Sequence, residues 1–352
     1  MHASCPLGYG SSVALGTERE VNMTVTRPAI TVMALALSLL AAPLAVAGQP
    51  AGKVYRLGFL GSATASGYAP MIAALRQGLR DLGYDEGKNI VIEYRWAEER
   101  YDRLPNLAAE LVALKVDLIV THGTPGSLAA KQATTTFPVV MAAAGDPVAS
   151  GIVASLARPG GNITGSTFFN VELAVKRLEM LKEAVPRARR IAVLLNPENP
   201  VNRLVLSEME VGAKSLKVEL QQFAVRGPDQ FESAFSAIVA RRANALTVLD
   251  DPMIIARTRQ VADLAATKRL LSIGFSKEYA VAGGLMAYGV DLPAMYRRAA
   301  TYVDKILKGA KASDLPIERA MRFEVVINMK AAKALALKIP PSILVRATEL
   351  IQ

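Results

Sequence analysis

The chain has 352 residues and a formal net charge of +10, with 51% hydrophobic, 20% charged and 6% aromatic residues. Its basic side chains are spread along the chain and its aromatic residues are sparse, so the composition disfavours a nucleic-acid-binding role. Cys5, the single cysteine, and His2 lie in a leader segment that we expect to be removed, which leaves His122 as the only histidine, so a zinc site of histidine and cysteine ligands cannot be built. Serine-hydrolase elbow, zincin and P-loop motifs do not occur in the sequence, so the enzyme classes that depend on them lose support.

An apolar run near the start of the chain, residues 30–40, has the length of a signal-peptide core and is too short to cross a bilayer. It is followed by Ala45, Val46 and Ala47, which resemble an A-x-A cleavage site. We therefore expect a signal peptide over residues 1–47, cleavage after Ala47, and a mature protein in the periplasm. An uncleaved membrane anchor is the alternative, and Met23 is an alternative start.

Short apolar runs recur along the remaining residues, about 300 in number, which suit two α/β domains better than one. Their length and their Val, Ile and Leu content predict strands buried on both faces of parallel sheets. The predicted strands are residues 54–60, 90–95, 116–121, 138–141, 191–195, 218–225, 245–249, 270–274 and 284–288.

Helical patterns lie between these runs. Met71, Leu75, Leu79 and Leu82 form one apolar stripe, which Gly83 closes at the position after a helix end. Further stripes lie near residues 104–114, 174–185, 231–238 and 296–307. Strict strand–helix alternation predicts right-handed βαβ units in doubly wound sheets.

The strand–helix series runs twice, with about four strands before residue 160 and a second set that starts at Ile191. Residues 157–165, rich in glycine and proline, read as a crossing between two lobes. The sequence thus predicts an α/β fold of two Rossmann-like, doubly wound lobes with a hinge and a central cleft.

Polar side chains follow most of the predicted strands. In open α/β sheets, ligands bind outside the carboxyl ends of the strands, and helix N-termini there favour anions. Each of these residues is also an ordinary helix cap, which is the more common role for any one of them alone; their convergence on one crevice favours a ligand site. The strand-end residues are Ser62, Thr64, His122, Thr124, Asp146, Asn196, Asp250, Asp251 and Ser276.

Eight segments carry a resemblance to a known family. The chain resembles the ABC-transporter substrate-binding proteins whose members include tryptophan-binding and other aromatic-amino-acid-binding proteins, over nearly all of residues 53–352. The segments are RLGFLG from Arg56, LRQGLRDLGY from Leu75, GKNIVIEYRWA from Gly87, GDPVASG from Gly145, LARPGGNITG from Leu156, GGLMAYG from Gly283, AATYVDKILKG from Ala299 and FEVVIN from Phe323.

The resemblance implies the type I periplasmic-binding-protein fold, in which two lobes joined by three crossovers close on a ligand. On this basis we expect residues 53–165 and 285–310 in the first lobe. Residues 166–284 and 311–352 would form the second.

The resemblance also implies a ligand site between the lobes. Carried onto this sequence, it suggests Ser62, Thr124 and Asp146 from the first lobe, and Asn170, Asn196, Asp250 and Ser276 from the second, with Tyr288 near the last crossover. Tyr288 could instead pack within a lobe, as aromatic residues at strand ends often do. Trp96 is interpreted as packing, and His122 is given no role.

The function that these features predict is a solute receptor that binds an amino acid or related carboxylate, with an aromatic side chain as one option, and delivers it to an ABC permease in the inner membrane. We expect a monomer without enzymatic activity, metal, cofactor or nucleic-acid partner. A periplasmic sensor and an exported α/β enzyme remain as alternatives, whereas the leader disfavours a transcription regulator with this fold.

Overall fold

The computed structural model describes residues 53–352 of the chain. The predicted signal peptide and its cleavage site lie outside these residues. Within residues 53–352, no helix is both long enough and apolar enough to cross a membrane.

The strands of the described residues form two sheets. The first sheet has six strands, all parallel, in the order β11-β5-β4-β3-β1-β2. Its strands are β1 (Tyr55–Gly61), β2 (Ile90–Trp96), β3 (Leu118–Thr121), β4 (Val139–Ala144), β5 (Ile163–Thr167) and β11 (Glu318–Arg319).

The second sheet of the described residues has seven strands, in the order β13-β12-β10-β9-β8-β6-β7, with one antiparallel pair, β10 with β12. Its strands are β6 (Arg190–Leu195), β7 (Glu219–Ala224), β8 (Ala245–Val248), β9 (Ser272–Gly274), β10 (Met286–Val290), β12 (Phe323–Asn328) and β13 (Glu349–Ile351). Each of the nine strands predicted from the sequence overlaps one of these strands.

Helices connect the strands and cover both sheets. They are α1 (Ala69–Asp81), α2 (Leu104–Ala113), α3 (Gly123–Ala133), α4 (Asn170–Ala184), α5 (Asn202–Leu216), α6 (Phe231–Ala240), α7 (Pro252–Ala256), α8 (Thr258–Thr267), α9 (Lys277–Val281), α10 (Leu292–Leu307), α11 (Met329–Ala334) and α12 (Pro341–Leu344). Short 3₁₀ turns lie at Tyr101–Arg103, Pro228–Gln230 and Ala312–Asp314.

Burial explains why these segments form a sheet core. Every residue of β4 is buried, as expected of a central strand covered by helices on both faces. In α1, Met71, Leu75 and Leu79 are buried along one side, as their helical spacing predicts. Gly83 follows the helix end with a φ of +88°, a left-handed conformation that favours glycine.

The chain crosses between the sheets three times, and the first crossing differs from the prediction. Residues 157–165 were expected to form it, but Ile163–Thr167 is strand β5 of the first sheet. The crossing follows at Phe168 and Phe169, and Phe169 adopts a φ of +50° just before α4 begins. The glycines of this segment indicated a crossing, because glycine is typical of turns. Gly165 instead lies within β5, where its lack of a side chain lets its backbone contact that of Met141.

The predicted division between the lobes also needs correction at two places. Strand β10 belongs to the second sheet, whereas residues 285–310 were expected in the first lobe. Strand β11 belongs to the first sheet, whereas residues 311–352 were expected in the second lobe. Helix α10 does pack on the first lobe, with Gly78 of α1 lying close to Arg297 and Ala300. We call the first sheet with its helices the first lobe, and the second sheet with its helices the second lobe.

Candidate functional site

A cavity lies between the two lobes, at the carboxyl ends of their strands. Its volume, about 20 Å³, is enough for a water molecule but far below the roughly 300–1,000 Å³ typical of pockets for drug-sized ligands. The lobes are therefore closed on each other in this structure. The lining residues are Tyr68, His122, Gly123, Thr124, Ala143, Gly145, Phe168, Leu292 and Tyr296 of the first lobe or its crossings, and Asn170, Asn199, Val201, Asp250, Asp251, Pro252 and Ile255 of the second.

A buried ion pair forms part of the cavity wall. Arg177 of α4 is fully buried and donates from its two terminal nitrogens to the Asp250 carboxylate, at 2.5 and 3.1 Å. Its Nε donates to the backbone carbonyl of Tyr288 at 2.7 Å. The arginine thereby fixes the orientation of Asp250 and compensates its charge.

Asp251, the next residue, links the two lobes. The Tyr101 hydroxyl of the first lobe donates to the Asp251 carboxylate, at 2.9 Å from either oxygen. Asn196 and Asn199 donate to the same carboxylate from within the second lobe, at 3.4 and 3.1 Å. Burial raises the pKa of Asp251 from 3.8 to about 6 despite these donors. The same carboxylate caps α7 by accepting the Met253 and Ile254 backbone N–H groups.

A second contact between the lobes lies beside it. Arg257 of the second lobe donates to Glu99 of the first through two hydrogen bonds, at 2.7 and 3.1 Å. Glu99 is buried and Arg257 is 38% exposed at its side chain. Together with the Tyr101–Asp251 bond, this pair ties the loop after β2 to the segment around α7.

His122 is a neutral cavity residue. The Ser62 backbone N–H donates to its Nε2 at 3.2 Å, which assigns the proton of the neutral ring to Nδ1. Burial lowers the pKa of His122 from 6.5 to about 3. Its ring lies against that of Tyr68, with centroids 4.1 Å apart. The residue therefore offers the cavity a polar aromatic edge without a charge.

Two polar atoms of cavity residues are buried without a hydrogen-bond partner among residues 53–352. They are the Tyr296 hydroxyl and Oδ1 of Asn199. A buried polar atom without a partner costs about 1–3 kcal/mol, so such atoms in a native structure call for a specific explanation. Because both residues line the cavity, we expect a polar ligand or a water molecule bound there to supply the missing hydrogen bonds.

Three of the eight predicted site residues line this cavity: Thr124, Asn170 and Asp250. Thr124 lies in the first turn of α3, and Asn170 is the first residue of α4. The Asn170 side-chain oxygen accepts the Asp146 backbone N–H at 3.3 Å. Both helices thus present their N-terminal turns to the cavity.

Two further predicted residues, Ser62 and Asn196, are buried one layer behind the cavity. Ser62 holds the ring of His122 through its backbone N–H, and its hydroxyl donates to the His122 carbonyl at 3.3 Å. Asn196 donates to Asp251. Their contacts position lining residues, and they are not themselves part of the lining.

The other three predicted residues do not line the cavity. The Asp146 carboxylate accepts the backbone N–H groups of Val148 and Ala149, at 3.0 and 2.9 Å, and so stabilises a turn. Ser276 lines a separate groove on the outside. The Tyr288 ring packs against Phe323, with centroids 6.1 Å apart, which is the packing alternative.

Several lining residues escaped the sequence prediction. Tyr296 belongs to the apolar stripe of α10, a pattern that predicts a helix but not a ligand site. Asn199 lies three residues after Asn196 in the same loop, which is the signal that could have found it. Arg177 does not line the cavity but orients the lining residue Asp250, and nothing in its local sequence distinguishes it from a solvated arginine. Trp96 does pack as interpreted, against Phe59 and Tyr94.

Within residues 53–352, no group of three or more His, Cys, Asp or Glu side chains is placed to hold a metal ion. The cavity instead combines carboxylates, amides, hydroxyls and aromatic rings between two hinged α/β lobes. This arrangement defines a solute-binding protein of the type I periplasmic-binding-protein fold. Residues 67–351 match the family described as ABC transporter substrate binding protein, and the chain belongs to that family.

Similar proteins support the assignment. The chain is 29% identical over 258 residues to a tyrosine-binding protein of Clostridioides difficile, covering 73% of this chain and 74% of that protein. A conserved domain protein from Vibrio cholerae has a similar structure, with a TM-score of 0.78 and 26% identity over 85% of this chain and 100% of that one. An ABC domain from Streptococcus pneumonia in complex with L-Trp gives a TM-score of 0.77 and 25% identity with the same coverage.

Proposed function

We propose that the protein captures a free amino acid with an aromatic or other large apolar side chain between its lobes and presents it to an ABC importer. The observation that carries this proposal is the combination, on one cavity, of two neighbouring carboxylates, two buried polar atoms without partners among residues 53–352, and an apolar wall. We further propose that the protein acts as an exported monomer and that the membrane permease is its partner.

The ligand ammonium group fits beside Asp250 and Asp251. Arg177 supplies one positive charge against the two carboxylates, so this side of the cavity carries excess negative charge when Asp251 is ionised. Tyr68 stays protonated, because burial, and then the nearby Asp251 and Asp250 charges, raise its pKa well above the ordinary value. A cation is the ligand group that such a site stabilises.

The ligand carboxylate fits at the helix N-termini that face the cavity. Helix α3 begins at Gly123 and α4 at Asn170, and both helices are long enough to present a positive N-terminal end. Thr124 and Asn170 add a hydroxyl and an amide there. An anion at this place would take up free N–H groups of the first turns.

The ligand side chain fits the apolar part of the wall. Tyr68, Phe168 and Tyr296 provide aromatic surfaces, and Val201 and Leu292 provide aliphatic ones. Such a wall favours a large apolar side chain. The tyrosine-binding protein of C. difficile and the L-Trp complex from S. pneumonia, both similar to this chain, support an aromatic amino acid as the ligand.

Ligand capture requires opening, because the closed cavity is smaller than any amino acid. A ligand that contacts both lobes at once stabilises the closed form relative to the open one. Calorimetric titration of the purified protein with L-tyrosine, L-tryptophan and L-phenylalanine tests the proposal, with glycerol and D-ribose as controls. We expect saturable binding of at least one of these amino acids and none of the controls. Binding of ribose alone would contradict the proposed ligand class.

A further inference from the structure

A large groove lies directly outside the closed cavity. Its volume is about 810 Å³, against about 20 Å³ for the cavity. Ser66 and Met71 of the first lobe lie on one side, and Thr258, Lys277 and Val281 of the second lie on the other. We call this space the outer groove.

The cavity and the outer groove share two lining residues, Ile255 and Leu292. Both are aliphatic and carry no polar side-chain atom, so neither can hydrogen-bond a ligand. These two side chains therefore form part of the wall that separates the cavity from the outer groove.

The wall is built from both lobes. Ile255 belongs to α7 of the second lobe and packs against two buried clusters, one of which includes Tyr68 and Met71 of the first lobe. Leu292 is the first residue of α10, which packs on the first lobe, and it is 9% exposed. The wall thus combines one residue from each lobe.

We propose that Ile255 and Leu292 limit the ligand to a single amino acid by closing the cavity against the outer groove. This inference rests on the proposed function and adds the residues that set ligand length. A ligand that continued beyond one residue would have to occupy the space of these two side chains. Displacing them would open the packed contact between the lobes, since a core filled at native density has no spare volume.

The outer groove could receive such a continuation if the wall were shortened. The charged residues of its lining provide both signs to a second peptide unit; they are Arg259, Asp263, Lys277 and Glu278. Truncating Ile255 and Leu292 would join a space of about 20 Å³ to one of about 810 Å³. We therefore expect the truncated protein to prefer free amino acids over dipeptides less strongly than the wild type does.

The test compares the full-length protein with the Ile255→Ala, Leu292→Ala and double variants. Calorimetry measures the dissociation constants of L-tyrosine and L-tryptophan and of their dipeptides with glycine at either end. We expect the wild type to bind a free amino acid about a hundredfold more tightly than its dipeptides. In the double variant this ratio should fall by about tenfold or more, the range associated with small changes in an apolar pocket.

Val281→Ala is the matched control, because Val281 lines the outer groove but not the cavity and is 59% exposed. It should leave the ratio unchanged. The milder variants Ile255→Val and Leu292→Val keep the interface filled if the alanine variants do not fold, and they should shift the ratio in the same direction. Melting curves check the fold of each variant.

Two results overturn the inference while the proposed function stands. One is a wild type that binds the dipeptides as tightly as the amino acid, and the other is a folded double variant with an unchanged ratio. A wild type that binds none of these amino acids overturns the proposed function and this inference together.

Discussion

Asp250 is held in place by Arg177, and its carboxylate has two roles, one structural and one in ligand binding. It compensates a fully buried guanidinium, and it lines the cavity where we place the ligand ammonium group. The pairing stabilises the second lobe whether or not ligand is present. The cavity contact matters only when ligand is bound.

The variant Asp250→Asn should lose both contributions. A hydrogen bond to a charged group is worth about 1.5–3 kcal/mol, so we expect amino-acid affinity to fall by roughly ten- to more than a hundredfold. Leaving Arg177 uncompensated should also lower the free energy of unfolding by about 3–5 kcal/mol. Calorimetry and urea denaturation measure the two effects.

Two control variants separate the duties of Asp250. Asp146→Asn keeps the side-chain oxygen that accepts the turn N–H groups outside the cavity lining, so it should leave both stability and affinity nearly unchanged. The double variant Arg177→Met with Asp250→Asn removes the unpaired charge, so stability should recover in part while binding stays weak. Wild-type affinity in Asp250→Asn would remove this residue from the site.

His122 and Asp251 give the folded protein opposite responses to acid. Because the pKa of His122 is lowered from 6.5 to about 3, the unfolded chain binds a proton here that the folded chain excludes. The free energy of unfolding therefore falls as pH drops from about 6.5 toward 3. Asp251 has a pKa raised from 3.8 to about 6, so its contribution rises as pH drops from about 6 toward 3.8.

Because the two groups change the free energy of unfolding in opposite directions with pH, single substitutions should reveal each effect separately. For His122→Gln, we expect the wild type to lose roughly 2–3 kcal/mol of unfolding free energy relative to the variant between pH 6 and pH 4. For Asp251→Asn, the wild type should instead gain relative to the variant over the same range. Urea denaturation at pH 4, 5, 6 and 7 measures both differences. Parallel pH profiles for wild type and variants would show that neither group is shifted as described.

Only some of the polar residues of the candidate site could be predicted from the sequence. Thr124 and Asp250 were predictable from the strand pattern, because parallel strands bring their carboxyl ends to one edge and polar residues follow them there. Asn170 was suggested by the family resemblance alone, since it follows β5, a strand that the sequence did not predict. Tyr296 was not predictable, because a helical stripe of apolar residues looks the same whether it faces a core or a cavity. The Arg177–Asp250 pair joins residues 73 positions apart, so no local pattern reveals it.

At the scale of an element, α7 lies directly against the first lobe. Two glycines of the first lobe give it room. A Cβ atom on Gly67 would lie 2.5 Å from the Ala256 Cβ and 2.8 Å from its Cα, and one on Gly123 would lie 2.5 Å from Pro252. Gly123 also has a φ of +69°, so substitution there would strain the local backbone. Gly67 has no positive φ, which makes it the cleaner probe of closure.

The variant Gly67→Ala should fold normally and close poorly. The added methyl group meets the backbone of α7, which cannot move aside as a flexible side chain would. We expect weaker amino-acid binding and, by small-angle scattering with saturating ligand, a larger radius of gyration than the wild type. Gly161→Ala is the matched control, since a Cβ there meets no atom of residues 53–352 within 4 Å. Full compaction of Gly67→Ala with ligand would show that this contact does not limit closure.

The strands that the sequence did not predict differ in what hid them. Strand β5 contains Gly165 in close contact with Met141, and glycine is more typical of turns than of strands. Strands β11 and β13 are only two and three residues long, too short to show an alternating or apolar pattern. Strand β12 has six residues and is largely buried, so its pattern was long enough to indicate a strand.

On the scale of the whole molecule, the two lobes hold each other directly and not only through a ligand. Tyr101 donates to Asp251 and Glu99 pairs with Arg257, both across the boundary. These contacts add to the stability of the closed form in the absence of ligand. They therefore raise the fraction of closed protein before any ligand arrives, and with it the apparent affinity.

Removing one lobe-to-lobe hydrogen bond should shift this balance. Tyr101→Phe deletes the hydroxyl that donates to Asp251, and we expect the ligand-free protein to become more open and amino acids to dissociate about tenfold faster. Small-angle scattering and stopped-flow fluorescence measure the two effects. Tyr302→Phe makes the same chemical change where the hydroxyl donates to Pro316 within the first lobe, so it should alter neither quantity. Equal behaviour of the two variants would argue against a direct role for Tyr101 in closure.

The segment from Asp250 to Arg257 has one more consequence. Asp250 lines the cavity, whereas Asp251 and Arg257 hydrogen-bond to the first lobe. Helix α7 lies between Asp251 and Arg257. One short segment therefore carries both a ligand-site residue and the residues that hold the two lobes together. Anything that pulls this piece away from the first lobe also disturbs the Asp250 carboxylate, so a transporter that pries the lobes apart would unload the protein in the same movement.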